Sequence, residues 1–182
     1  FCKECASRLA PDLHKPKEHA CPSCGVIYTG YPYDGTWSAI VHAAIAANLE
    51  RAAVLANLYK DDARYAQYIR KICLFYADNY EKYDAPDAEN GQGKLMPHVL
   101  NEAIFVIHMG RIMEMIKDLK LFSESERSRL AKGFFRPAAE FIYPKISLIH
   151  NHDVWKGGAI AAAADFLQDD KPSTVNLVGL IK

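Results

Sequence analysis

Apolar residues recur with a helical period along most of the chain from residue 34 onward. In the first such segment, positions three and four residues apart form one stripe, which is typical of a helix with one buried face. Asp34 precedes this stripe, and a short polar side chain at that place is predicted to cap the helix. The stripe comprises Trp37, Ile40, Val41, Ala44, Ile45, Asn48, Leu49, Ala52, Leu55, Leu58 and Tyr59.

A second helix is predicted to begin at Asp61 or Asp62. Its stripe contains four tyrosines, a pattern more typical of a core or a helix interface than of a sugar-stacking surface. Because the connection is very short, the two helices must turn back on each other as an antiparallel hairpin. The stripe comprises Tyr65, Tyr68, Ile69, Ile72, Tyr76 and Tyr80.

Three further helices are predicted. The first begins with a proline suited to a first helical position, the second with a Ser-x-x-Glu capping box, and the third with an asparagine. Their bounds are about Pro97 to Leu121, Ser123 to Tyr143, and Asn151 to Ala164. A polar, glycine-containing loop at 83–94 is longer than a turn requires, and such loops often carry function.

These elements predict an all-α fold of successive antiparallel helical hairpins. The absence of alternating strands excludes the βαβ architectures. Periodicity alone leaves a solenoid, a bundle and an arc of a closed toroid open. We assign residues 34–182 to this helical domain and residues 1–33 to a separate loop-rich segment.

The segment 1–33 contains two Cys-x-x-Cys pairs, Cys2 with Cys5 and Cys21 with Cys24, separated by 15 residues. This spacing predicts a tetrahedral four-cysteine zinc site. Four thiolates leave no open coordination position, so the zinc would be structural. Two disulfides in an exported protein are the alternative.

Two histidines are alternative ligands for this site, and the fifth cysteine lies outside it. His14 and His19 lie between the cysteine pairs, and either could replace one cysteine as a ligand. Cys73 falls at a helical core position and is predicted to be an inert apolar residue.

Composition narrows the class of partner. Half of the residues are apolar, which suffices for a packed core, and no apolar run reaches the roughly 18 residues needed to span a bilayer. Lys plus Arg and Asp plus Glu are both 22, so no basic field favours nucleic acid. An anionic partner would have to be held by a local site.

The clearest cluster of reactive groups is His150-Asn151-His152-Asp153 at the start of the last helix. Backbone N–H groups at a helix N-terminus favour an anion there. The alternative is that Asn151 is only a helix cap and His152 a surface residue.

Several short motifs occur in a fixed order along the chain. They are Cys21-Pro-Ser-Cys24-Gly25, Tyr28, Gly30, Tyr33-Asp34 and Trp37, the Gly91-Gln-Gly93-Lys94 loop, Leu100-Asn-Glu102-Ala103, and Asn151-His152 with Trp155. In this order and spacing they resemble the amino-terminal part of heparinase II/III-like polysaccharide lyases, over most of residues 1–165. The resemblance implies an incomplete (α/α) toroid that cleaves uronate polysaccharides, such as alginate or glycosaminoglycans, by β-elimination.

The same resemblance assigns roles to individual residues. Removal of the C5 proton of a uronate places a second negative charge beside its carboxylate, which must be neutralised. Asn151 and His152 would be the catalytic pair that neutralises the carboxylate, and His152 is also a candidate for proton abstraction. His98, Glu102 and Trp155 are candidates for sugar binding. For His98 and Glu102, the alternative is an exposed first-turn histidine and a solvated carboxylate.

The resembling lyases also use a tyrosine well beyond the Asn-His motif, whereas this sequence has no tyrosine after Tyr143. The chain begins with Phe1, without a visible natural start. We therefore expect a piece of a longer, periplasmic or secreted bacterial lyase, inactive without the rest of its parent chain.

Two other functions remain open. One is a helical carbohydrate-binding or protein-interaction module with a zinc knuckle. The other is a glycoside hydrolase, since (α/α) toroids also serve that chemistry with two carboxylates. The candidate acids are Asp34, Asp84, Asp87, Glu89, Glu102 and Asp153.

Overall fold

The computed structural model describes residues 1–84, 93–147 and 151–167. This part of the chain is mostly helical, which confirms the predicted all-α class, with one small two-stranded sheet that the sequence pattern did not indicate. The strands are β1 (His19–Ala20) and β2 (Ile27–Tyr28), antiparallel, with His19 opposite Tyr28.

In the described residues, six α-helices follow the sheet. They are α1 (Tyr33–Leu58), α2 (Ala63–Asn79), α3 (Val99–Ile116), α4 (Glu124–Leu130), α5 (Arg136–Ile142) and α6 (Asn151–Leu167). A π-helical turn, Ala131–Phe135, joins α4 to α5, and short 3₁₀ turns span Tyr80–Lys82, Lys117–Leu119 and Tyr143–Lys145.

Three helix starts agree with the prediction. Asp62 caps α2 by accepting from the Arg64 N–H, Ser123 and Glu126 form the capping box of α4, and α6 starts at Asn151. The prediction for α3 was wrong by two residues, because the His98 side chain is the N-cap and Pro97 precedes it.

The predicted cap of α1 was also wrong. Pro32 holds the N-cap position without a side-chain hydrogen bond, and Asp34 lies inside the first turn. The Asp34 carboxylate instead accepts hydrogen bonds from the Gly30 N–H and His19, which draws it toward the N-terminal segment.

The buried face of α1 is rotated from the predicted stripe. Ile40 and Leu58 are exposed, while His42 and small residues such as Ala46 and Ala53 are buried. Since α1 is apolar on more than one face, its period could not fix which face packs inward. α1 also has the length and composition of a membrane-spanning helix, with an 18-residue window of mean hydropathy 1.4, yet here it packs against α2 and α3.

The helices run in two opposite directions. Ser38 of α1 contacts Leu95, just before α3, and Asn57 near the end of α1 contacts Met115 near the end of α3, so α1 and α3 are parallel. α6 is parallel to α3 as well, since Gly158 approaches Ile107 and Gly110 approaches Ala162.

The second set runs the other way. Tyr76, near the end of α2, contacts His42 in the first half of α1, and Tyr65, at the start of α2, contacts Tyr59 at the end of α1. α2 is therefore antiparallel to α1. α4 is parallel to α2, because Arg70 pairs with Glu126 and Asp78 with Arg129. One set therefore contains α1, α3 and α6, and the other contains α2 with α4 and α5.

One continuous core lies between the two sets. Its centre is a group of buried rings in edge-to-face or tilted contact, which is a favoured geometry for aromatic pairs. The rings are those of Tyr76, Tyr80, Phe105, Phe134 and Phe135. Cys73 belongs to the same core and is fully buried, as predicted, and burial raises the pKa of its thiol to about 12.

Candidate functional site

The four cysteines of the N-terminal segment form one cluster. Their Sγ atoms all lie within 4.8 Å of one another. The Cys2–Cys24 and Cys5–Cys21 Sγ separations are both 3.5 Å. Four thiolates around one tetrahedral ion at about 2.3 Å would be about 3.8 Å apart. All four are free cysteines, and the cluster is compatible with a metal site.

Two tight turns present these sulfur atoms. In each turn a backbone N–H four residues on bonds to the carbonyl of the first cysteine, from Ala6 to Cys2 and from Gly25 to Cys21. Gly25 has φ +76°, which suits glycine, and Ala6 adopts φ 55° at the equivalent place. The Cys-x-x-Cys spacing therefore forms the same local turn twice.

Tyr28 supports the cluster from outside. Its hydroxyl accepts from the Lys3 N–H at 2.8 Å and donates to Cys2 Sγ at 3.2 Å. This hydrogen bond is the main reason that the pKa of Cys2 is lowered to about 6. Hydrogen bonds of this kind orient the ligands of a metal and favour the thiolate form.

The two histidines between the cysteine pairs lie elsewhere. His19 is buried, and its Nε2 lies 2.9 Å from Asp34 Oδ1, which ties the N-terminal segment to α1. His14 is exposed. The indole of Trp37 adds a second tie by donating to the Asp12 carbonyl at 2.7 Å.

A second group of candidate side chains lies where α3 and α6 begin. The rings of His98 and His152 meet edge to face, with centroids 5.7 Å apart. Both side chains are half-buried. Because the two helices are parallel, their N-termini and their positive dipole ends converge at this pair.

The hydrogen bonding of His98 fixes which ring nitrogen carries the proton. Its Nδ1 accepts from the Leu100 N–H at 3.0 Å, so the neutral ring is protonated at Nε2 and can donate from there. The pKa of His98 is lowered, mainly because the ring is partly buried and further because His152 and Lys156 lie nearby. The ring is therefore a neutral hydrogen-bond donor at pH 7.

Beside the histidines is an ion pair that the sequence interpretation missed. Lys156 Nζ lies 2.8 Å from Asp153 Oδ1, and the two side chains are only 8% and 9% exposed. Lys156 also donates to the Lys145 carbonyl, and Ser147 donates to Asp153. These contacts fasten residues 145–147 to the first turns of α6. An Asp-x-x-Lys spacing within a helix was the available signal.

Glu102 is not available to a ligand, contrary to the sugar-binding prediction and to its alternative of a solvated carboxylate. It is 0% exposed. Its Oε2 accepts from the Lys94 and Met96 N–H groups at 3.1 and 2.7 Å. Burial raises the pKa of this carboxyl. Glu102 instead holds the segment that leads into His98.

Trp155 remains available as a sugar-binding candidate. It is 47% exposed and lies one turn along α6 from Asn151 and His152. Asn151 is exposed, and its Oδ1 accepts from the His152 N–H. The structure thus brings together His98 and His152, with Asn151 and Trp155 on the adjoining turn.

The candidate acids of a hydrolase have different surroundings in the described residues. Asp34, Glu102 and Asp153 are each engaged in hydrogen bonds or an ion pair within the protein. Asp84 is exposed. Asp87 and Glu89 lie outside the described residues, as do His150 and the first two residues of the Gly91-Gln-Gly93-Lys94 motif.

No protein-family model matches the chain, and no curated protein matches its sequence.

Proposed function

We propose that this chain forms part of the uronate-binding site of a heparinase II/III-like polysaccharide lyase, which cleaves alginate or glycosaminoglycans by β-elimination. The meeting of His98 and His152 at two converging helix N-termini carries the proposal. Imidazole donors and two positive dipole ends are suited to a carboxylate. The net charge is zero, so an anionic chain needs such a local site.

Each side chain would have its own role in the proposed site. His98 presents Nε2–H and would donate to the uronate carboxylate, where charge increases when the C5 proton leaves. Asn151 and His152 would complete the neutralisation, and His152 is the candidate for proton abstraction since the Nδ1 atom of His98 is committed to its helix cap. Trp155 would offer a ring face to a neighbouring sugar.

The helix arrangement supports a partial (α/α) toroid as the fold of this lyase. A toroid needs parallel inner helices, each followed by an outer helix of opposite direction. α1, α3 and α6 are parallel, and α2 and α4 run the opposite way. The resemblance to heparinase II/III-like lyases also implies a periplasmic or secreted location in a bacterium.

The cysteine cluster would hold a structural zinc ion. Cys2, Cys5, Cys21 and Cys24 supply four sulfur donors, which suits zinc and closes its coordination. The ion would stabilise the N-terminal segment. The contacts of His19 with Asp34 and of Trp37 with Asp12 hold that segment on α1.

Binding of defined oligomannuronates to the chain tests the function. His152→Ala is expected to weaken the affinity measured by calorimetry about tenfold, because a charge-assisted hydrogen bond is lost. His14→Ala, an exposed histidine of the N-terminal segment, is the control and should leave the affinity unchanged. Equal affinity of the His152→Ala variant would refute the proposal.

Turnover separates a lyase from a binding module. In any form of the protein that cleaves uronates, His152→Ala should abolish the rise in ultraviolet absorbance from unsaturated products. Binding with no elimination in any form would favour a carbohydrate-binding module instead.

A further inference from the structure

A pocket of about 290 Å³ lies where the N-terminal segment meets the first two turns of α1. Its size is near the lower end of the range for small-ligand sites, and its walls are mainly apolar and aromatic, as in such sites. The described lining residues include one arginine and no carboxylate. The lining residues include Arg8, Pro11, Tyr33, Thr36, Trp37 and Ile40.

The aromatic walls of the pocket are held in place. The Trp37 indole is fixed by its hydrogen bond to the Asp12 carbonyl. Tyr33 stacks on Tyr28, with ring centroids 4.6 Å apart. A preorganised wall loses little conformational freedom when a ligand binds, so these rings are suited to recognition.

The pocket lies at the same end of its helix layer as the histidine pair. α1, α3 and α6 are parallel, α3 contacts both of the others, and Tyr33 and Trp37 belong to the start of α1. Packed helices lie about 8–10 Å apart, so the pocket is one helix from His98 and two from His152. A linear ligand lying across these helix N-termini would reach both places.

We propose that this pocket is a second subsite for the same polyuronate chain, binding a sugar unit distant from the one at His98 and His152. This inference rests on the proposed function. The Trp37 ring offers a face to the C–H face of a sugar, Tyr33 completes the wall, and the exposed Arg8 guanidinium pairs with the sugar carboxylate. The absence of lining carboxylates favours an anionic sugar over a cationic ligand.

The two tryptophans of the chain report the two places separately. Trp37 lines the pocket, and Trp155 lies one turn from Asn151. In nitrogen–proton correlation spectra, a dimannuronate should shift the Trp155 indole signal only, whereas a hexamannuronate should shift both. A shift of Trp155 without Trp37 at saturating hexamannuronate overturns the subsite and leaves the proposed function standing. No shift of either signal overturns both.

Charge is tested with matched variants and a matched ligand. Arg8→Ala should weaken hexamannuronate binding about two- to fivefold, as for one exposed ion pair, and leave dimannuronate binding unchanged. Arg51→Ala, which removes an exposed arginine of α1 outside the pocket, should change neither. Equal effects of the two variants, or an equal Trp37 shift with an uncharged mannohexaose, would overturn the assignment of an anionic ligand.

Discussion

At the residue scale, His98 has two tasks that can be separated. Its Nδ1 caps α3, and its ring faces His152. Glu102 holds the Lys94–Met96 backbone just before it, so the position of the imidazole is fixed on both sides. A side chain that both caps a helix and faces the site must be tested by variants that remove one task at a time.

Asparagine at this position keeps the cap and removes the imidazole. We expect His98→Asn to be more stable than His98→Ala by about 1 kcal/mol in urea unfolding, because asparagine is a good N-cap. Both variants should lose oligomannuronate affinity to a similar extent, since both lack the Nε2–H donor. Affinity retained by His98→Asn would mean that the ring has no part in binding.

Local features of single residues could be predicted from the sequence, whereas their tertiary contacts could not. The start of α6 at Asn151 was predictable because a short polar residue ahead of an apolar helical period is a local signal. Burial of Glu102 was not, since its partners, the backbone N–H groups of Lys94 and Met96, lie on a loop whose path depends on tertiary packing. The proximity of His98 to His152 was equally hidden, because it depends on the parallel packing of two helices.

At the element scale, α2 and the π-helical turn approach each other closely. A Cβ atom at Gly133 would lie 2.1 Å from the Ala77 carbonyl oxygen. The capping residues Asp62 and Ser123 correctly predicted the starts of α2 and α4. Neither caps nor apolar periods could predict the π-helical turn, because the turn packs against α2 and depends on that tertiary contact.

Gly133→Ala is therefore expected to lower the free energy of unfolding by about 2 kcal/mol or more, because the backbones must separate. The matched control is Gly157→Ala in α6, where nothing lies within 4 Å of the new Cβ. That control should raise stability by about 0.5–1 kcal/mol through helix propensity. Similar values for the two variants in urea unfolding would contradict the packing described here.

The contact between α1 and α2 carries a pH dependence. His42 Nδ1 lies 2.8 Å from the Tyr76 hydroxyl, and burial lowers the pKa of His42 from its ordinary 6.5 to about 4. Between these values the unfolded chain binds more protons than the folded chain, so stability falls as the pH falls. The loss from pH 6.5 to 4 should reach about 3 kcal/mol.

His42→Gln keeps a hydrogen-bonding partner for Tyr76 and removes the titration. Unfolding free energies measured between pH 4 and 6.5 should therefore fall less steeply in this variant than in the unaltered chain. Identical slopes would show that another group is responsible for the pH dependence.

At the scale of the whole molecule, the cysteine cluster and the helical core are separate. The buried core residues of the helices do not include Cys2 or Cys21. The N-terminal segment is tied to α1 by His19 with Asp34 and by Trp37 with Asp12. Cysteine spacing predicted the cluster, but these ties come from packing and could not be predicted from the spacing.

Metal removal tests this separation. We expect one zinc ion per chain by elemental analysis, and a strong chelator should move the Trp37 indole signal while the far-ultraviolet circular dichroism of the helices is retained. The Trp155 signal serves as the internal control and should stay in place. Cooperative loss of the helical signal on chelation would contradict this description, and a chain without zinc would favour disulfides.

We propose that parallel packing of α3 and α6 creates an anion site between His98 and His152. The decisive experiment is a titration of the chain with trimannuronate, followed through the imidazole signals of both histidines by NMR. We predict that both rings shift together and saturate at one ligand concentration, and that uncharged mannotriose leaves them unmoved. Rings that stay in place with trimannuronate, or that respond equally to mannotriose, would contradict the presence of an anion site.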